Sequence, residues 1–268
     1  MNIAILGCGW LGWPLGQSLV EKGHYVKGST TTNNKMQKLR EQQVTPYLMK
    51  VYAEGIQGDI TSFLSEMEVL VINIPPGLRS NPEANFVGKI GRLIPYLEKS
   101  SVERVIFVSS TSVYADAEDF PVYTEEDSAN GSSETAKQLI ASEKTLAENK
   151  DFKTDILRFG GLIGPGRHPV NYLTHKSGIR NPKAPVNLIH LDDCIAIIEK
   201  IAEKEGPGEI FNAAYPKHPS KEEYYTQIAK ERNLAVPEFD QNQPSLGKII
   251  SAEKVQKVLD FEFQKEIW

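Results

Sequence analysis

The chain has 268 residues, enough for one large domain or a domain carrying a lobe, with a full hydrophobic core. Hydrophobic residues make up 40% and charged residues 24%, an ordinary globular balance, and the net charge of −5 excludes a basic surface for nucleic acid or anionic membrane. No apolar run approaches the roughly 20 residues of a membrane-spanning helix, and the first residues enter a strand without a basic leader, so a cytoplasmic location is expected.

Ile3-Ala4-Ile5-Leu6 is an unbroken apolar run that suits a strand buried on both faces. Gly7, Gly9 and Gly12 then spell Gly-x-Gly-x-x-Gly, and an amphipathic helix follows over Leu11 to Lys22. In this strand–turn–helix unit Gly7 permits the turn, Gly9 lets a pyrophosphate approach the backbone, and Gly12 lets the helix pack on the strand. Trp10 and Leu11 stand at the helix N-terminus, whose free N–H groups hold phosphate. A second strand is expected over His24 to Gly28, followed by the polar loop Ser29 to Asn34, which ends in an N-cap, and a short helix over Lys35 to Glu41. Pro46 to Val51 reads as a further strand. Val69 to Ile74 is a buried strand stopped by Pro75-Pro76-Gly77, a turn at the carboxyl end of a central strand, where ligands sit in open sheets. Asn85 to Lys99 reads as a helix with a kink point at Pro95, Val105 to Val108 as a strand, Glu134 to Glu148 as a helix and Thr154 to Phe159 as a strand. Beyond the Gly/Pro-rich loop 160–169 follow a strand (Val186 to His190), a helix (Leu191 to Glu203), a strand (Glu209 to Ala213) and a helix (Lys221 to Asn233). This alternation predicts an α/β fold, a doubly wound parallel sheet of Rossmann type, with residues 1–160 as the dinucleotide-binding core. Residues 161–268 are expected to complete the sheet and form a small substrate lobe. Cys8 and Cys194 are too few and too far apart for a disulfide framework and read as reduced packing residues.

Five stretches in order carry a family resemblance: Gly7 to Gly12, Gly58-Asp59-Ile60, Phe107 to Tyr114, Leu157 to Arg167, and Asn187 to Asp193. The chain resembles the extended short-chain dehydrogenases/reductases, in particular the atypical branch of NAD(P)-dependent epimerase/dehydratase-like proteins. The resemblance implies that Asp59 and Ile60 lie against the adenine, although Asp59 reads equally well as a helix N-cap before Thr61-Ser62-Phe63. It implies that Ser110 binds the substrate oxygen, where the alternative is that Ser109 to Ser112 satisfy strand-end backbone groups. It also places Arg167 and His190 at the substrate pocket, Arg167 suited to an anionic group. His190 reads equally as a satisfied core histidine.

One departure bears on the chemistry. The family's acid/base pair is Tyr-x-x-x-Lys on the next helix. Aligning Glu143 with the family's glutamate puts Thr135 and Leu139 at those positions, and a shift of two residues puts Ser133 and Lys137 there. Neither register holds a tyrosine, and a Ser or Thr hydroxyl does not readily replace a phenol. Lys137 reads either as the retained catalytic lysine or as a solvated surface lysine. Two functions follow. The first is an NAD(P)-binding oxidoreductase or epimerase-like protein acting on a sugar nucleotide or another small anionic substrate, through a degenerate site that includes Ser110 and Lys137. The alternative is a non-catalytic NADP(H)-binding sensor. NADP is the expected cofactor ahead of NAD, because the stretch from Val26 to Lys35 has no carboxylate for a ribose 2′-OH, while Thr30, Thr31 and Lys35 can hold a 2′-phosphate. No nucleic acid or membrane partner is expected, and a homodimer is allowed.

Overall fold

The computed structural model describes residues 1–268. Its main sheet has seven strands in the spatial order Ile210–Ala213, Lys153–Phe159, Arg104–Ser110, Val69–Ile72, Asn2–Leu6 (β1), Tyr25–Thr30 (β2) and Thr45–Leu48 (β3). β1 pairs in parallel with β2 on one side and with Val69–Ile72 on the other, which in turn pairs in parallel with Arg104–Ser110. The order reverses beside β1, the place where an open α/β sheet leaves a crevice at its strand ends. Ile3, Ala4 and Ile5 are fully buried, as are Leu70, Val71 and Ile72, and this is why both strands read as unbroken apolar runs. The expected α/β doubly wound architecture is therefore the observed one.

The chain divides into two compact units. The first comprises residues 1–110, 133–157 and 195–210. Within it the helix Gly12–Glu21 (α1) presents Leu15 and Leu19 to the core, and Glu199 accepts hydrogen bonds from Ser18 (2.6 Å) and Lys22 (2.7 Å) on its other side. Lys27, buried on β2, donates to the carbonyls of Ser62 and Ser65, each at 2.8 Å. These carbonyls close the helix Ile60–Leu64, where a cation is favoured by the helix dipole. Arg104 pairs with the buried carboxylate of Asp155, which also accepts the Glu209 N–H at 3.0 Å. This ion pair is hydrogen-bonded on both sides, as a buried pair must be.

The second unit comprises residues 111–132, 158–194 and 211–268. Its apolar cluster gathers Ile163, Val170, Leu188, Tyr224, Ile228 and Ile267. Inside it His168 Nδ1 accepts the Val170 N–H (3.2 Å), which leaves Nε2 to donate to Tyr224 Oη (2.9 Å). The phenol donates onward to the Ile267 carbonyl at 2.5 Å. The carboxylate of Asp193, buried at the start of the helix Leu191–Glu203, accepts the N–H groups of Gln264 and Lys265.

Several local expectations need correction. The helix after β2 begins at Asn33 with Thr32 as N-cap, and no side chain caps it, so Asn34 is not the cap. The expected strand Pro46 to Val51 is two elements. β3 ends at Leu48, the Met49 N–H bonds back to Thr30 O (2.9 Å), and Lys50–Val51 then forms an antiparallel hairpin with Ile56–Gln57. The Phe86–Leu97 helix runs through Pro95. The stretch 160–169 is not all loop, since Gly161–Ile163 pairs in parallel with Leu188–His190.

Candidate functional site

The glycine turn shows three different steric situations. Gly7 has φ +108°, and a Cβ there would lie 2.6 Å from the Asn73 carbonyl oxygen. A Cβ on Gly12 would lie 2.3 Å from the Gly7 carbonyl oxygen, closer than any side-chain carbon can approach. A Cβ on Gly9 would meet nothing within 4 Å. Gly7 and Gly12 are thus fixed by the protein's own packing, while Gly9 borders open space. The turn is held from two neighbouring strands: Ser29 Oγ accepts the Gly7 N–H (2.9 Å), and Asn73 Nδ2 donates to Gly7 O (3.0 Å). Sequence reasoning did not find Asn73 in this role, and it read Ser29 as the start of a polar loop. The Ser29 hydroxyl is instead committed to the turn, with the residue 3% exposed. The available signal was a polar residue placed at the carboxyl end of each apolar strand. Cys8 packs beneath the turn, where burial pushes its thiol up to about 12, so it is an inert core group.

A cleft of about 470 Å³ opens beside this turn. Gly7, Gly9, Thr30, Thr31, Lys35 and Pro75 line it, together with Met49 to Tyr52, Asn73 and Lys89. Its charged lining residues are Lys35, Lys50 and Lys89, with no carboxylate among them. The first turn of α1 carries no acidic residue, and Leu11 at its N-cap makes no side-chain capping bond, so the helix sets no anionic side chain of its own at the dipole's positive end. Trp10 is half-buried just before that turn, and Leu11 is buried.

Asp59 and Ile60 are not among the lining residues. Of the two readings of Asp59, the helix cap is the one the geometry displays: its carboxylate accepts the Ser62 N–H (2.9 Å) and the Ser62 hydroxyl (2.6 Å). The hydroxyl first, then the N–H, hold the carboxyl below the usual range. Ile60 is buried behind it.

The residues expected to carry chemistry are placed as follows. Ser110 is half-buried as the last residue of its strand, and its neighbour Ser109 donates to the buried Glu143 at 2.5 Å. Ser133 is the N-cap of the helix Glu134–Ala147, its hydroxyl accepting the Ala136 N–H (3.1 Å), and Lys137 is exposed on the first turns of that helix. Thr135 is half-buried and Leu139 buried. In the second unit Arg167 is exposed in the tight turn closed by reciprocal Gly164 and Arg167 backbone bonds of 2.9 and 3.0 Å. His190 is the last residue of its strand, and its Nδ1 accepts the Asp192 N–H at 3.2 Å, capping the Leu191–Glu203 helix. Tyr114 is buried; it accepts from Arg158 Nη1 (2.6 Å), and its hydroxyl lies 2.9 Å from the Thr124 carbonyl. Burial raises its pKa in spite of the guanidinium, the opposite of what a phenolic base needs.

No protein-family model matches the chain. It is 34% identical over 266 residues to Protein YeeZ of Escherichia coli K12, an alignment covering 98% of this chain and 96% of that protein. The chain belongs to the YeeZ family. Among solved structures it is similar to a UDP-glucuronic acid 4-epimerase from Bacillus cereus in complex with NAD (TM-score 0.82, 16% identity, 99% of this chain and 92% of that one). It is also similar to a short-chain dehydrogenase/reductase superfamily protein from Agrobacterium tumefaciens with bound NAD (TM-score 0.79, 16% identity, 99% of this chain and 93% of that one). At these identities the likeness is one of fold, and that fold is the one the five sequence stretches resemble. No helix is long and apolar enough to cross a membrane.

Proposed function

We propose that the chain binds NADP(H), ahead of NAD(H), in the cleft at Gly7 to Gly12, and acts as an oxidoreductase or epimerase-like protein on a sugar nucleotide or another small anionic substrate. The observation that carries this reading is a cleft with three lysines and no carboxylate, set against a helix N-terminus without an acidic cap. A ligand with two phosphates along its backbone and a third on its ribose fits that charge. Gly9 would face the pyrophosphate, the first turn of α1 would donate to it, and Thr30, Thr31 and Lys35 would hold the 2′-phosphate. The nicotinamide would supply or accept hydride when bound. Ser110 would hold the substrate oxygen, with Lys137 on the following helix. Arg167 and His190 would contact the substrate's anionic part. The sugar nucleotide named for the epimerase of like fold supports the substrate class.

The expected preference for NADP(H) is about tenfold, roughly 1.4 kcal/mol. Lys35→Ala is expected to erode that preference while leaving NAD(H) affinity largely unchanged. Titrating both cofactors into both proteins checks it, and a wild type that binds NAD(H) equally or more tightly contradicts the assignment of the 2′-phosphate subsite.

One observation favours a second reading, a cofactor-binding sensor without turnover. The Ser133 hydroxyl accepts the Ala136 N–H as the cap of its helix, so the register that retains Lys137 sets a helix-capping serine, not a phenol, in the place of the acid/base group. Either way, turnover on sugar nucleotides is expected far below the rate of about 10 per second usual for enzymes. Following NADPH absorbance against a panel of sugar nucleotides tests this. A rate at or above that level would require an acid/base group elsewhere in the chain.

A further inference from the structure

The walls of the cleft are not those that the Gly58-Asp59-Ile60 stretch implies. Beyond Thr30 and Thr31 the lining is supplied by Met49, Lys50, Val51 and Tyr52. β3 runs beside β2 in the register Thr30 to Leu48, and the Met49 N–H bonds to Thr30 O at 2.9 Å, which brings this segment alongside the end of β2. Tyr52 is 43% exposed, the one aromatic side chain on the cleft wall. Its backbone is fixed without any ligand. The Tyr52 N–H bonds to Gly55 O (2.8 Å) within the hairpin, Val51 pairs with Ile56, and Arg92 Nε ties the hairpin to the Phe86–Leu97 helix through Ala53 O (2.6 Å). Asp59, meanwhile, gives both carboxylate oxygens to Ser62 and does not line the cleft.

We infer that the adenine of the bound dinucleotide is recognised by the Met49–Tyr52 segment, stacking on the Tyr52 ring, and that Asp59 serves only as a helix cap. This rests on the dinucleotide reading above and specifies which residues contact the base. An exposed ring offers a flat apolar face to a purine, and its held backbone means little ordering is needed when the base arrives. Met49 and Val51 extend the apolar surface, while Lys50 adds a cation beside the phosphates of the adenosine half.

The test uses the full chain and three probes: NADPH, 2′,5′-ADP, which keeps the adenosine half alone, and reduced nicotinamide mononucleotide, which lacks adenosine. Tyr52→Ala is expected to weaken NADPH and 2′,5′-ADP by about tenfold and to leave the mononucleotide unchanged, the size of loss typical for one base stacked on an aromatic ring. Tyr52→Phe keeps the ring and should restore both affinities. Asp59→Asn keeps a capping side chain and should bind all three probes as the wild type does. Wild-type affinity in Tyr52→Ala, or a comparable loss in Asp59→Asn, overturns the inference. A wild type that binds neither NADPH nor 2′,5′-ADP removes the dinucleotide reading itself, a separate result from either of these.

Discussion

Gly9→Val is expected to yield a folded protein that no longer binds NADPH, whereas Gly12→Val is expected not to fold. The two glycines belong to one motif, yet their surroundings differ. The Cβ of a residue at position 9 would enter open space, so the protein can accommodate the substitution; that space is where the pyrophosphate is proposed to lie. A branched side chain there should cost about a hundredfold or more in affinity, roughly 2.8 kcal/mol. At position 12 the Cβ would be 2.3 Å from the Gly7 carbonyl oxygen, which is itself held by Asn73. Neither backbone segment can withdraw without separating α1 from the sheet, and the expected loss exceeds about 4 kcal/mol, the range of severe core lesions. Circular dichroism and calorimetry on the two variants check both outcomes. Undiminished binding by Gly9→Val would move the ligand away from this turn.

The second large effect is acid destabilisation through His168. The residue is 4% exposed, and burial first, then the nearby Arg232 charge, lower its pKa from 6.5 to about 4. Its hydrogen bonds agree, because Nδ1 accepts the Val170 N–H and is available only in the neutral ring. Above pH about 6.5 the ring is neutral in both folded and unfolded chains, and its contribution is intact. As pH falls, the unfolded chain takes up a proton that the folded chain refuses until about pH 4, so stability is lost across that window. The shift corresponds to about 3 kcal/mol at most. Asp155, Asp193 and Glu125 act in the opposite sense, since burial raises each of them and the folded chain binds their protons more tightly. The measurement is therefore a difference. Urea unfolding of the wild type and of His168→Gln from pH 7.5 to 4.5 should show a wild type that loses more stability towards acid than the variant. Parallel profiles would mean that the ring is protonated in the folded protein.

How much of this was legible in the sequence depends on whether the determining contacts are local. The β1–turn–α1 unit was, because the positive φ at Gly7 and the contact of Gly12 with the Gly7 carbonyl are decided within the motif itself, and an apolar tetrad announces a strand buried on both faces. The short hairpin at residues 50–57 was not. Two residues per strand leave no periodicity to read, and the break after β3 depends on a bond from Met49 to Thr30 in another strand. The double meaning of Asp59 could not be resolved from sequence either, since a carboxylate three residues before Ser62 suits an N-cap and an adenine contact alike. The stretch beyond Pro237 was illegible for a similar reason. It is ordered by Asp193 accepting the Gln264 and Lys265 N–H groups and by Tyr224 donating to Ile267, partners tens of residues away. By contrast, the lack of tyrosine in both helix registers was plain from sequence, and the capping role of Ser133 adds a structural reason to doubt a simple replacement.

The central claim is that this cleft is an NADP(H) site. Isothermal titration of the wild-type protein with NADPH and with NADH tests it most directly. Saturable binding of both at one site per chain, NADPH tighter by about tenfold, is the expected result. Absence of binding heat with either cofactor, at protein concentrations well above the micromolar range, would contradict it.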